Sequence, residues 1–186
     1  MRVISGTLKG RRFNPPDGFN ARPTTDFAKE NIFNVLNNIV DYEELDVLDL
    51  FSGTGSITYE FASRGAKSVT SVELNFKHQK FISQTIRQFG IEGVAKSYRS
   101  DAFRFLKEVR RKFDLIFADA PYDLEGVDTI PNIVLERELL TEDGILIVEH
   151  SEENRFEGHP NLWQVRSYGK VNFSMFKYKV DDDAES

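Results

Sequence analysis

The sequence contains no cysteine and no long apolar run. The absence of cysteine excludes disulfides, thiolate zinc sites, iron–sulfur clusters and cysteine nucleophiles. No segment approaches the roughly 18 consecutive apolar residues of a membrane span, and residues 1–10 lack the apolar stretch of a signal peptide. These absences predict a soluble, cytoplasmic protein.

The composition is that of one folded domain with an uneven charge distribution. The 186 residues are 40% hydrophobic and include 16 Phe, enough apolar surface for a single core. The net charge of −6 argues against a nonspecific nucleic-acid coat protein. Yet residues 1–22 carry five bases against one acid, and we call these bases the basic arm: Arg2, Lys9, Arg11, Arg12 and Arg22. A solvated face and a phosphate-binding patch are both compatible with this cluster.

Short apolar runs alternate with amphipathic stretches from residue 45 onward, which is typical of βαβ units and a parallel sheet. The runs are apolar at nearly every position, so we expect helices on both faces of a doubly wound sheet. The predicted strands are Leu45–Phe51, Ser68–Leu74, Val94–Tyr98, Phe113–Ala118 and Gly144–Glu149. The predicted helices are Ser56–Arg64, Asn75–Phe89, Ala102–Arg110 and Asp128–Leu139.

The two ends of the chain extend this pattern. Residues 2–13 favour short strands or a hairpin, and a helix is predicted from Thr25 or Asp26 to about Val40. Two more runs, Leu162–Ser167 and Val171–Tyr178, are separated by the three turn residues Tyr168-Gly169-Lys170, which predicts an antiparallel hairpin. The predicted fold is therefore α/β, with a doubly wound, mostly parallel seven-stranded sheet, an antiparallel C-terminal hairpin and a small N-terminal hairpin and helix extension.

Gly53 and Gly55 stand where the first predicted strand meets a helix. Glycines there let the backbone approach a ligand and direct helix N–H groups at it, although a tight turn alone also requires glycine. Glu73 ends the next strand, where a carboxylate can accept the hydrogens of ribose hydroxyls. A dinucleotide motif would need glycine in place of Thr58, and Asp49 would repel a pyrophosphate. An acid at that position suits a cationic or zwitterionic ligand.

Two further acids follow the next predicted strands. Asp101 follows the third strand and Asp119 the fourth. Each acid could simply cap a helix. Because ligands of open parallel sheets bind at the carboxyl ends of the strands, we instead expect Asp49, Glu73, Asp101 and Asp119 to share one site.

The segment Asp49–Gly55 resembles motif I of Rossmann-type S-adenosylmethionine-dependent methyltransferases. This resemblance implies that Glu73 binds the ribose of the cofactor and that Asp101 binds its adenine amino group. The implied cofactor-binding residues are Asp49, Phe51, Gly53, Thr54, Gly55, Glu73, Asp101 and Ala102. No metal is implied.

Asp119-Ala120-Pro121-Tyr122 resembles the Asp/Asn-Pro-Pro-Tyr/Phe motif of enzymes that methylate exocyclic amines of bases. The resemblance implies a catalytic turn formed by these four residues. The carboxylate of Asp119 and a main-chain carbonyl of the turn can accept the two N–H bonds of the amine, and Tyr122 can stack on a flipped base. Ala120 departs from the motif, which has proline there, and removes some rigidity of the turn.

A second signature is more specific. Arg22-Pro23-Thr24-Thr25-Asp26, followed by Glu30-Asn31-Ile32-Phe33, is similar to the N-terminal signature of the RsmD family. This family comprises bacterial 16S rRNA guanine-N2 methyltransferases, and the resemblance covers roughly residues 1–178. It implies methyl transfer to a guanine N2 amine in 16S rRNA or a small-subunit assembly particle. Adenine-N6 or glutamine methylation, and a cofactor-binding assembly module without activity, are the alternatives.

The resemblance also suggests an organisation for the chain. Residues 1–40 are expected to form an RNA-facing extension, residues 41–180 the S-adenosylmethionine-binding domain and residues 181–186 a solvated acidic tail. The basic arm is expected to wrap the cofactor edge of the sheet and to contact RNA. We expect a monomer that binds neither metal nor membrane.

Overall fold

The computed structural model describes residues 1–19 and 24–180 and contains one seven-stranded sheet. Its strands are β1 (Asp46–Leu50), β2 (Ser68–Glu73), β3 (Ala95–Arg99), β4 (Phe113–Asp119), β5 (Leu140–His150), β6 (Leu162–Tyr168) and β7 (Val171–Phe176). Its α-helices are α1 (Asp26–Leu36), α2 (Ser56–Ser63), α3 (Phe76–Phe89), α4 (Ala102–Glu108) and α5 (Ile130–Glu136). Two single 3₁₀ turns lie at Tyr42–Glu44 and Val127–Thr129.

The strand order is β3-β2-β1-β4-β5-β7-β6. The first five strands in this order are mutually parallel, whereas β7 is antiparallel to both β5 and β6. The chain proceeds outward from β1 to β3 and then returns to place β4 on the other side of β1. This reversal opens a crevice at the carboxyl ends of β1 and β4, where doubly wound sheets bind their ligands. The predicted fold class is confirmed.

Strand side chains alternate between two apolar layers. Val47, Leu115 and Phe117 face the layer formed with α1, α2 and α3. Leu48 and Ile116 face the layer formed with α4 and α5. Burial on both faces explains why the strand sequences are apolar at nearly every position.

Helix α1, strand β5 and residues 2–13 differ from the sequence prediction. Helix α1 ends at Leu36 rather than near Val40, because the Asn38 side chain donates to the Asn34 carbonyl and competes with helical hydrogen bonding there. Strand β5 begins at Leu140, four residues early, because its irregular start still pairs with Phe113. Residues 2–13 form a hairpin-like loop with one isolated bridge between Arg2 and Arg12, since two glycines with positive φ interrupt regular strands.

A buried polar cluster fastens the N-terminal loop to the helices. Glu60, fully buried in α2, accepts hydrogen bonds from the backbone N–H groups of Ile4 (2.9 Å) and Ser5 (3.0 Å). It also pairs with Arg64 at 3.0 Å and with the buried Lys29 at 3.9 Å. Burial lowers the pKa of Lys29, although the charge of Glu60 opposes this effect. The cluster supplies the polar partners that these buried groups require.

The N-terminal residues also contribute to the main core. Val3, Leu8 and Phe13 are buried in the same apolar layer as Val47 and Phe117. None of the helices in residues 1–19 and 24–180 is long and apolar enough to cross a membrane. The predicted acidic tail, residues 181–186, lies outside the described residues.

Candidate active site

One cavity of about 600 Å³ opens at the carboxyl ends of the parallel strands. All four predicted acids line it, one from each of four consecutive strand ends: Asp49, Glu73, Asp101 and Asp119. Its apolar wall includes Phe51, Leu74, Ala102 and Leu124. The volume and mixed lining are typical of a small-molecule site.

The glycine turn after β1 forms one wall of this cavity. Phe51 adopts a left-handed conformation (φ 57°), which is strained for a residue with a side chain and is often found at functional sites. Gly55 also has positive φ (82°), and an added Cβ would lie 2.4 Å from the Tyr59 hydroxyl oxygen. Gly55, the N-cap residue of α2, has no side chain to cap the helix, and Ser56 and Ile57 in the first turn line the cavity beside Thr54.

Glu73 is fixed by backbone donors. Its Oε2 accepts from the N–H of Gly53 at 2.7 Å, and its Oε1 accepts from the N–H of Asn75 at 2.8 Å. His78 Nδ1 lies 3.9 Å from Oε1. A carboxylate has about four acceptor sites, so these two bonds orient it while leaving capacity for ligand hydroxyls.

Asp49 lies deeper, with 1% of its surface exposed. The Thr58 hydroxyl donates to its Oδ2 at 2.6 Å. Burial raises the pKa of Asp49 to about 7; the Thr58 hydrogen bond opposes this rise, and the negative charge of Asp119 adds to it. Thr58, where a dinucleotide motif would have glycine, therefore holds the innermost acid of the cavity. This role was not predicted from the sequence.

Asp101 combines the two roles that its sequence position allowed. It lines the cavity, and its Oδ1 caps α4 by accepting from the N–H of Arg104 at 2.8 Å. Ala102 follows it as a buried cavity residue in the first turn of that helix. The hydrogen bond that caps α4 therefore fixes the orientation of the Asp101 side chain, and the residue still lines the cavity.

The turn after β4 forms another part of the cavity wall. Asp119 ends the strand, and Ala120, Pro121 and Tyr122 continue along the cavity. Ala120 is buried, with 3% of its surface exposed.

Two further polar residues at this wall were not predicted as site residues. The Thr24 hydroxyl oxygen lies 3.0 Å from Asp119 Oδ2 and 3.0 Å from Glu149 Oε2. Both Thr24 and Glu149 line the cavity. Glu149 sits near the end of β5 and repeats the pattern of acids at strand ends, so a signal for it was present in the sequence.

The basic arm does not line the cavity in the described residues. Arg2 pairs with Asp26 at the start of α1 (3.3 Å), whereas Arg11 donates to the Gln88 carbonyl in the last turn of α3. Gln88 is about 18 Å along α3 from its cavity end at 1.5 Å per residue. The expectation that the arm wraps the cofactor edge is therefore wrong for Arg11. Lys9 and Arg12 are exposed, and Arg22 lies outside the described residues.

The histidines have separate polar neighbours. His78 lies beside Glu73, whereas His150 Nε2 is 2.7 Å from the Ser174 hydroxyl oxygen. His159 Nε2 is 2.9 Å from Asn132 Oδ1. Within residues 1–19 and 24–180, no group of three or more His, Asp or Glu side chains is arranged to hold a metal ion.

Comparison with known proteins shows the same architecture elsewhere. The structure titled "Putative methyltransferase yhhF from Escherichia coli" superposes with a TM-score of 0.84 at 25% identity, covering 97% of this chain and 99% of that chain. A structure titled as SMU.776, a putative methyltransferase complexed with SAH, shares the fold with a TM-score of 0.62 at 18% identity, covering 80% of this chain and 49% of that one. The likeness and the cavity at the carboxyl ends of the parallel strands thus define a methyltransferase of the Rossmann type.

The family follows from sequence matches along the whole chain. The family described as "Conserved hypothetical protein 95" matches residues 1–177, and the chain belongs to it; this is the RsmD family indicated by the sequence motifs. A Bacillus subtilis (strain 168) relative named "Putative rRNA methyltransferase YlbH" is 32% identical, over 95% of this chain and 98% of the relative. "Ribosomal RNA small subunit methyltransferase D" of Escherichia coli (strain K12) is 25% identical, over 100% of this chain and 94% of the relative.

Proposed function

We propose that this protein transfers the methyl group of S-adenosylmethionine to the exocyclic N2 amine of a guanine in small-subunit ribosomal RNA. The observation that carries the proposal is that the turn Asp119–Tyr122 lines the same cavity as the glycine turn and Glu73. The names of the Bacillus and Escherichia relatives support ribosomal RNA as the substrate.

The cavity residues fit S-adenosylmethionine. Glu73 has acceptor capacity for two ribose hydroxyls, and Asp101 can accept from the adenine amine beside the apolar Leu74 and Leu124. The uncapped N–H groups of α2 suit the carboxylate of the amino-acid moiety. Asp49 complements a positively charged ligand. The cofactor, when bound, supplies an electrophilic methyl group on its sulfonium.

The turn after β4 supplies the groups that a weak nucleophile requires. The amine of guanine is a poor nucleophile because its lone pair is delocalised into the ring. The Asp119 carboxylate and the Ala120 carbonyl accept hydrogen bonds from its two N–H groups. These bonds favour a pyramidal nitrogen, whose lone pair is no longer delocalised into the ring and faces the methyl group. Asp119 then accepts the proton that the methylated nitrogen releases. Tyr122 stacks on the flipped base, so positioning supplies much of the acceleration.

The alanine at position 120 leaves this chemistry in place. The group that binds the amine is a main-chain carbonyl, which every residue has. Proline would fix φ at position 120, whereas alanine does not. The assembly-module alternative depends on Ala120, and the carbonyl that alanine keeps weakens this alternative.

The first prediction concerns cofactor binding. Glu73→Ala is expected to weaken S-adenosylmethionine binding by about 1.5–3 kcal/mol, the usual contribution of hydrogen bonds to a charged group. Isothermal titration calorimetry measures this change. Glu92→Ala, which removes an exposed acid away from the cavity, is the matched control. Equal affinity of Glu73→Ala and the parent would remove Glu73 from the cofactor site.

The second prediction concerns RNA. Arg11→Glu with Arg12→Glu should weaken RNA binding and reduce the slope of log affinity against log salt by about 0.7–0.9 for each phosphate that the arm no longer neutralises. S-adenosylmethionine affinity should not change. Arg110→Glu with Lys112→Glu makes the same charge change at the opposite edge of the sheet, before β4, and serves as the control. Equal salt slopes for all three proteins would show that the basic arm is a solvated face.

Transfer of labelled methyl groups tests the proposed substrate class. The purified protein is incubated with labelled S-adenosylmethionine and, in parallel, with small-subunit rRNA particles, large-subunit rRNA and ribosomal proteins. We expect label in small-subunit RNA alone. Label in protein would favour the glutamine alternative, and cofactor binding without transfer to any acceptor would favour an assembly module.

A further inference from the structure

The Thr24 hydroxyl connects three separate parts of the fold. Thr24 precedes α1, Asp119 ends β4, and Glu149 lies near the end of β5 as the register partner of Asp119. The hydroxyl oxygen is 3.0 Å from a carboxylate oxygen of each acid. Thr24 is 8% exposed and Glu149 4% exposed, so these contacts lie in a largely dry part of the cavity wall. Hydrogen bonds to charged groups are stronger there than in water.

A hydroxyl group has one hydrogen, so Thr24 donates to one acid at a time. Its contact with the other acid becomes a hydrogen bond when that acid carries a proton and donates to Oγ1. The three groups therefore accommodate one additional proton with both Thr24 contacts present as hydrogen bonds. This arrangement suits a carboxylate that first accepts an amine N–H and then receives a proton.

The neighbouring threonine shows that Thr24 is not needed to start the helix. Thr25 is the N-cap of α1, and its hydroxyl accepts from the N–H of Ala28 at 3.1 Å. The two adjacent hydroxyls thus have different partners, one in the helix and one in the cavity. Because their partners differ, Thr24 and Thr25 form a matched pair for experiment.

We infer that Thr24, whose hydroxyl lies between Glu149 and Asp119, is a positioning residue that donates to the Asp119 carboxylate and sets its orientation. This inference rests on the proposed function, because it requires Asp119 to bind the amine. It also gives the N-terminal signature segment a direct role in the reaction. Without the Thr24 hydroxyl, the Asp119 carboxylate rotates more freely. The amine of the bound RNA is then held less often in the reactive geometry.

The test compares Thr24→Val, Thr24→Ser and Thr25→Val. Thr24→Val is expected to lower kcat about 10-fold or more, as for loss of a hydrogen bond to a charged group, with little change in the KM for RNA or in cofactor affinity. Thr24→Ser, which keeps the hydroxyl, should retain most of kcat. Thr25→Val should lower the Tm through loss of the N-cap and leave kcat unchanged. Should Thr24→Val not fold, Thr24→Ala makes the same comparison.

A double-mutant cycle separates this inference from the proposed function. If Thr24 acts through Asp119, Thr24→Val should cause no further loss of kcat in an Asp119→Ala background. If the kcat losses of the two single variants multiply in the double variant, the inference is overturned. It is also overturned if Thr24→Val has the parental kcat while Asp119→Ala is impaired. Unimpaired turnover in Asp119→Ala itself would instead overturn the proposed placement of the amine.

Discussion

Asp119→Ala is expected to lower the methyl-transfer rate about 100-fold or more, as for loss of one preorganised polar group in an active site. The substitution removes the carboxylate that orients the amine and takes its proton. Cofactor affinity should change little, because β1 lies between Asp119 at the end of β4 and Glu73 at the end of β2. Single-turnover rates with bound S-adenosylmethionine, and calorimetry of cofactor binding, measure the two effects separately.

Asp119→Asn provides the matched comparison for this result. Asparagine keeps one acceptor oxygen at the same position, and the motif that the turn resembles admits either residue. We therefore expect Asp119→Asn to retain more activity than Asp119→Ala. A near-parental rate in Asp119→Ala would show that the amine is bound elsewhere.

The second large effect concerns stability. Glu60→Ala should lower the free energy of unfolding by about 3–5 kcal/mol, the range measured when one partner of a buried ion pair is removed. The substitution leaves Lys29 and Arg64 without their buried counter-charge and the N–H groups of Ile4 and Ser5 without acceptors. Urea denaturation followed by circular dichroism measures the change.

An exposed pair of the same type gives the control. Arg104 and Glu108 are also four residues apart on a helix and 3.0 Å apart, but their side chains are 72% and 64% exposed. Glu108→Ala should therefore cost only about 0.3–0.5 kcal/mol. Equal losses of stability in Glu108→Ala and Glu60→Ala would mean that burial of Glu60 does not determine its contribution.

The features visible in the sequence were those with local patterns. Apolar runs revealed the strands, and the acids after those runs could be placed at one edge because parallel strands end together. Asp49, Glu73, Asp101 and Asp119 do line a single cavity. Their individual roles toward cofactor and substrate remain predictions.

The features missed depend on interactions between distant residues. Thr24 and Glu149 are 125 positions apart, and nothing in either local sequence indicates their hydrogen bond. Lys29 and Glu60 look like ordinary surface charges of amphipathic helices, but the N-terminal loop covers them and leaves both almost fully buried. Arg11 was placed near the cofactor edge by its charge alone, and its observed position follows from packing on Phe89.

The identity of the methylated nucleoside tests the proposed function most directly. Small-subunit rRNA particles are treated with the protein and S-adenosylmethionine, the RNA is digested, and the nucleosides are separated and identified by mass spectrometry. We expect N2-methylguanosine, and we expect it to be absent when Asp119→Ala replaces the parent protein. N6-methyladenosine, or RNA left unmodified by a protein that binds the cofactor, would contradict the proposed function.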